Sequence, residues 1–185
     1  MAPVCFWASE GERHFYNNRT RASSGLLPAN PDALDWIQEN GQPWRTEAEL
    51  VETTSVETQT LDGYCLAHGL WPDFLSMDIQ GAEYPVLLGG SRALKTLLGI
   101  ITEVEFRQVY HEQALFSQVD GFLRKVGFQF MTLYEPQYWR LHPADTTKVL
   151  TVGEALFLRQ PEGLDQPARE KLASIAKCFG FGGYA

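Results

Sequence analysis

The stretch Pro72-Asp73-Phe74-Leu75-Ser76-Met77-Asp78-Ile79-Gln80-Gly81-Ala82-Glu83 constrains the fold of this chain more than any other. It reads as a buried strand that runs into a tight turn and then a helix. Asp78 stands where the strand should end. In open α/β sheets, ligands bind in the crevice beyond the carboxyl ends of the strands, so a carboxylate there is aimed at a site. The plainer alternative is an aspartate that only forms the turn or caps the helix.

The neighbouring segments supply partners for that strand. Val51 to Leu61 is full of β-branched residues and reads as a strand with a polar side. Asp62 is the expected N-cap of helical turns over Gly63 to His68, closed by Gly69. After Gly81 the run Ala82 to Leu88 is helical, Pro85 being tolerated in a first turn. Leu98 to Phe106 reads as a second strand, apolar on both faces until its end, as in a strand covered by helices on both sides. Its exceptions, Glu103 and Glu105, are two apart and share one face near the carboxyl end, beside Asp78 if the strands are parallel neighbours. Three acids would then rim one crevice.

Further along, Glu112 to Val126 has the apolar spacing of an amphipathic helix stopped by Gly127, and Phe128 to Tyr134 is a third strand. Glu135 to Lys148 reads as an aromatic-rich loop with Tyr138, Trp139 and His142 as lid candidates, followed by a strand over Ala155 to Arg159. A final helix covers Gln166 to Lys177, and residues 179–185 read as a frayed tail. Before Val51, Val4 to Ala8 is the tail of a strand, Arg13 to Tyr16 an edge strand, Asn17 to Pro31 a loop and Pro31 to Asn40 a short helix. No repeat or linker divides the chain, so residues 1–185 are expected to be a single domain. From Val51 on, the alternation of strands and helices predicts an α/β sheet with helices on both faces.

Composition narrows the function. The chain has a formal net charge of −8, which disfavours nucleic acid as a partner, because such binding rests on Lys and Arg displacing counterions. Cys5, Cys65 and Cys178 are odd in number and lack paired spacing, so they read as reduced thiols of a cytoplasmic protein, with no zinc site implied. No segment has the length of a membrane span, and the start lacks a signal-peptide pattern, so no membrane partner is expected. A hard-cation site built from Asp78, Glu103 and Glu105 is conceivable, but nothing at metal-ligand spacing adds to it, and no metal is expected.

The run Leu61-Asp62, then Pro72 through Glu83, then Val86-Leu87 and Gly89, closely resembles the FkbM family of S-adenosylmethionine-dependent methyltransferases. Glu103-Val104, Phe106, Tyr110, Gln113 through Phe116, Val119-Asp120, Phe122-Leu123 and Gly127-Phe128 continue the similarity in register. Ala8 through Glu12 with Phe15-Tyr16 is similar to the segment after the family's third strand. The likeness extends to about Leu133 and is best over residues 51–134. It implies a partial class I methyltransferase, Rossmann-like sheet. The family's first two strands and glycine-rich cofactor turn have no counterpart in this sequence, so the chain is expected to be an N-terminally truncated form. The strand ending at Asp78 would then have an open edge, which a second chain or another copy of this one could cover.

The resemblance implies methyl transfer from S-adenosylmethionine to an oxygen, the hydroxyl of a small molecule or sugar. Asp78 and Glu103 are the expected catalytic carboxylates, placed to orient or deprotonate that hydroxyl. Asp78, Gln80 and Gly81 are the expected cofactor contacts, and Glu83, Tyr110 and His111 the acceptor contacts. Glu83 also has a structural reading, since an acid in a first helical turn is favoured by the helix dipole. A non-catalytic binding or assembly module is the alternative function.

Overall fold

The computed structural model describes residues 4–185. Two sheets are present instead of one. The first holds β1 (Cys5–Phe6), β2 (Gly11–Asn18) and β3 (Leu50–Gln59) in the order β1-β3-β2, with β1 parallel and β2 antiparallel to β3. The second holds β4 (Phe74–Met77), β5 (Gly99–Glu105), β6 (Phe128–Trp139) and β7 (Val149–Arg159) in the order β4-β5-β7-β6. β4 and β5 are parallel, in register from Phe74 opposite Gly99 to Met77 opposite Thr102, and the other pairs are antiparallel.

The expectation of one sheet from Val51 onward is therefore corrected. β3 joins β1 and β2 because its first half is exposed on both sides and would bury polar groups inside a covered sheet. The second sheet does have helices on both faces. β7 shows this by alternation: Ala155 and Phe157 pack into one core cluster, while Leu156 and Leu158 pack into another. The first cluster is closed by α2 (Leu61–His68), α3 (Glu83–Leu88), α4 (Ala93–Thr96) and α5 (Phe116–Lys125), a short α1 (Arg45–Ala48) lying elsewhere. The second cluster is closed by α6 (Gln166–Cys178), whose Leu172 and Ala176 are fully buried. Burying a leucine such as Leu172 or Leu123 contributes about 1.5–3 kcal/mol.

Several local expectations shift for identifiable reasons. Thr60, not Asp62, caps α2, its Oγ1 accepting from the Gly63 amide at 2.9 Å. The Asp62 carboxylate instead accepts from the amides of Arg92 and Ala93, at the start of α4. Pro31 to Asn40 contains only the 3-10 turn Pro31–Ala33. α5 begins at Phe116, because Glu112 is left-handed (φ 57°) and Gln113 turns its side chain back onto the Val109 and Tyr110 amides. The segment from Glu135 is not all loop: β6 runs through a register shift at left-handed Glu135 and Pro136 and ends at Trp139. Residues 179–185 pack back onto the second sheet, Phe179 stacking on Phe74 with ring centroids 5.4 Å apart and Phe181 bonding to the Ala176 carbonyl. Aromatic side chains tie this tail down where a polar one would fray.

Candidate active site

β4 and β5 lie side by side and parallel, so their carboxyl ends open on the same crevice. Asp78 follows the last residue of β4 and is exposed. The chain then turns through two successive left-handed residues, Gln80 (φ 59°) and Gly81 (φ 89°), before α3 starts. A left-handed non-glycine residue is unusual and is kept only where its surroundings hold it. Here they do: the Tyr110 hydroxyl donates to Gln80 Oε1 at 2.5 Å, and Gln80 Nε2 donates to Asp78 Oδ1 at 2.5 Å and Glu103 Oε2 at 3.4 Å. Gly81 is buried, and a Cβ there would lie 2.9 Å from Gln113 Nε2 and 3.3 Å from the Tyr110 ring. Its side therefore faces packed protein and no cavity.

Glu83, 3% exposed, sits in the first turn of α3, where its Oε1 accepts from the Ile79 amide at 2.8 Å. It thus closes the turn and also joins the acids: Asp78, Glu83 and Glu103 each present an oxygen within 4.8 Å of the others. Glu105 is 2% exposed, and the side-chain amide of Gln113, itself buried with Nε2 otherwise unpartnered, lies against its carboxylate. Burial, followed by repulsion from Asp78 and Glu83, raises the Glu103 carboxyl to about 8. Burial, opposed by hydrogen bonds from backbone amides, raises Glu83 to about 7. Glu105 is also pushed well up, by burial and then by Glu83 and Glu103. The Tyr110 hydroxyl is pushed up by burial and the same acids, so it stays protonated as a donor.

Two cavities meet at this turn. One, of about 220 Å³, is lined by Asp78, Gln80, Glu103 and Glu105 together with Tyr110, Trp44 and Trp139, and no basic side chain lines it. The other, of about 320 Å³, has the apolar walls Phe6, Phe15, Leu26 and Ile79, with Arg21 and Asp78 as its charged groups. Asp78 and Gln80 belong to both. A larger cavity of about 720 Å³ lies beside β2 and α1 and touches none of these acids, so its size does not make it the better candidate.

The expected site residues thus divide. Asp78, Gln80, Glu83, Glu103 and Tyr110 converge. His111 is exposed, 3.9 Å from Glu112, and lines neither cavity. Of the lid candidates, Trp139 packs against Trp44 with ring centroids 5.5 Å apart and walls the acid cavity, whereas His142 bonds within its own loop. Trp44 was not legible beforehand. It lies in an irregular segment far from the motif, brought to the end of β6 by the isolated pairing of Ile37 with Arg140 and by the Tyr138 amide donating to Glu39 Oε1.

Residues 9–130 match the methyltransferase FkbM domain. The chain belongs to the FkbM methyltransferase family. A 60-residue stretch is 42% identical to the 2-O-methyltransferase NoeI of Sinorhizobium fredii (strain NBRC 101917 / NGR234), covering 32% of this chain and 25% of that protein. The matched segment is thus about a quarter of that relative's length. No solved structure matches the chain at a significant level. The FkbM match contains β4, the turn, β5 and α5, and so all of the clustered acids. Among the described residues, no helix is long and apolar enough to cross a membrane.

Proposed function

We propose that this FkbM-family chain methylates a hydroxyl of a small polyhydroxylated acceptor, a sugar in the first instance, using S-adenosylmethionine. The observation that carries this reading is the meeting of two unlike cavities at Asp78 and Gln80. The apolar one suits the donor. Its aromatic and aliphatic walls fit an adenine ring and a thioether chain, Arg21 fits a carboxylate, and Asp78 fits a sulfonium charge. Asp78 and Gln80 would be its contacts at the junction. The acid cavity suits the acceptor. Carboxylates hydrogen-bond sugar hydroxyls, while Trp44, Trp139 and Tyr110 offer apolar ring surface to a pyranose.

S-adenosylmethionine supplies an electrophilic methyl group. The protein's part is alignment and proton removal. Glu103 would take the proton of the acceptor hydroxyl as that oxygen attacks, and Asp78 would orient the hydroxyl. A base whose pKa is near 8 is well matched to a weakly acidic hydroxyl at neutral to mildly alkaline pH. Gln80, held by Tyr110, keeps the two carboxylates in position.

β5 is the one strand paired with β4 among the described residues. The other edge of β4 is thus open to pairing, and a second chain seated there would complete the far side of the donor site. A binding module without catalysis is the second reading, favoured by the same bare edge. Calorimetry separates the two. Saturable heat with S-adenosylmethionine supports the enzyme, and no heat at about 1 mM ligand, a free energy of about 4 kcal/mol, refutes donor binding by this chain.

A further inference from the structure

We propose that Gln38 selects the acceptor: its side-chain Nε2 donates to an oxygen of the bound sugar other than the one that receives the methyl group. The inference rests on the methyl-transfer reading and adds to it a residue that tells one sugar from another. Gln38 is 9% exposed and lines the cavity that Glu103, Trp44 and Trp139 also line, and its Nε2 is buried without a hydrogen-bond partner. Leaving a buried amide donor unpaired is costly, and native proteins keep few such groups.

The chain around Gln38 is fastened so that this one side chain is left over. The Gln38 amide donates to the Gln42 carbonyl at 2.9 Å, and its carbonyl accepts from the Gly41 amide at 3.0 Å. On one side Ile37 and Arg140 exchange backbone hydrogen bonds at 2.8 and 2.9 Å, and on the other the Tyr138 amide donates to Glu39 Oε1 at 2.9 Å. Gln38 is thus held at the end of β6, the edge of the sheet opposite β4 and Asp78. A polar group fixed in this way loses little further freedom when a ligand binds it.

The cavity is short of free donors. Among its described buried side chains, the Ser23 hydroxyl is taken by the Thr20 or Glu47 carbonyl, Trp44 Nε1 by the Val109 carbonyl, Trp139 Nε1 by Gln137 Oε1, and the Tyr110 hydroxyl by Gln80 Oε1. Gln38 Nε2 is not taken. A sugar hydroxyl donates one proton and accepts through its lone pairs. Asp78 and Glu103 offer lone pairs to its protons, and Gln38 offers the proton its lone pairs need. A site built to hydrogen-bond a substrate oxygen rejects the analogue lacking that oxygen far more strongly than an apolar wall does.

Transfer of labelled methyl from S-adenosylmethionine tests this on the full chain, with the methyl glycosides of glucose, galactose and mannose and their monodeoxy analogues as probes. For the best parent glycoside, removal of one hydroxyl other than the methylated one is expected to lower kcat/KM about tenfold or more in wild type. Gln38→Met keeps the length of the side chain and removes the amide. It is expected to lose about the same factor on the parent and to treat parent and analogue alike. Wild-type discrimination in Gln38→Met would overturn the inference and leave methyl transfer standing, whereas no transfer by wild type to any of these sugars would sink the sugar reading and the inference together. Urea denaturation adds a readout that needs no ligand. Because Gln38 Nε2 bonds nothing in the protein, Gln38→Met is expected to raise the midpoint or leave it unchanged, and a lower midpoint would overturn the inference by showing that the amide serves the fold.

Discussion

Replacing Tyr110 by Phe removes one oxygen from the centre of the site and leaves the ring in place. Tyr110 is 1% exposed, and its ring meets Trp44 edge-on at 5.7 Å, a contact phenylalanine preserves. The lost hydroxyl has one proton and two acceptors in reach, Gln80 Oε1 at 2.5 Å and the Ser23 carbonyl at 3.2 Å. The Ser23 carbonyl also accepts from Asn18 Nδ2 at 2.6 Å and so keeps a partner, whereas Gln80 Oε1 loses its only donor. One part-buried amide oxygen is therefore orphaned, a cost of about 1–3 kcal/mol. For a chain of this length that lowers the melting temperature by about 2–12 °C. Urea denaturation should show the midpoint falling with an unchanged slope. The Gln80→Ala, Tyr110→Phe double variant should be more stable than the sum of the single changes implies, by at least about 0.5 kcal/mol. A loss below about 0.5 kcal/mol for Tyr110→Phe, with strict additivity in the cycle, would refute the claim that Tyr110 holds the turn through Gln80.

Gly81→Ala adds a Cβ at a φ of 89° and 2.9 Å from Gln113 Nε2, and is expected to cost about 2–4 kcal/mol by the same denaturation assay. A neutral result would mean the turn relaxes freely. Stability should fall as pH rises from about 4.5 to 8. The sign follows from carboxyls raised to about 7 at Glu83 and about 8 at Glu103: the folded state holds protons in that window that the unfolded chain has released. The penalty is absent below the window and complete above it, on the order of 3 kcal/mol because the acids titrate as a coupled set. Glu103→Gln should flatten this slope, and an unchanged slope would remove Glu103 from the buried set.

Legibility in the sequence followed the range of each interaction. The β4 turn and the shared face of Glu103 and Glu105 depend on spacing within short segments and were readable, and the approach of Asp78 to Glu103 followed only on the condition, met by β4 and β5, that the two strands are parallel neighbours. The cluster of Asp78, Glu83 and Glu103 was half readable. Glu83 had an ordinary reason to sit in a first helical turn, and its burial shows only when Gln113 and Tyr110 close over the turn. Asp62 was misread because a carboxylate at a helix start can cap its own helix or another, and here Ser91 to Ala93 won. The split into two sheets and the Trp44–Trp139 wall depend on long-range pairing, such as Ile37 with Arg140, that no local period encodes. Pro136 argued for a loop, yet a bulge let β6 continue past it.

The central claim is that the acid cavity activates an acceptor hydroxyl, and isotopic methyl transfer tests it most directly. The protein is incubated with S-adenosylmethionine labelled in the methyl group and a panel of mono- and oligosaccharides, and label in the sugar is compared for wild type and Glu103→Gln. The account predicts transfer by wild type that falls at least 100-fold in Glu103→Gln, about 2.7 kcal/mol of barrier, with donor affinity unchanged. Transfer at the wild-type rate by Glu103→Gln would contradict it.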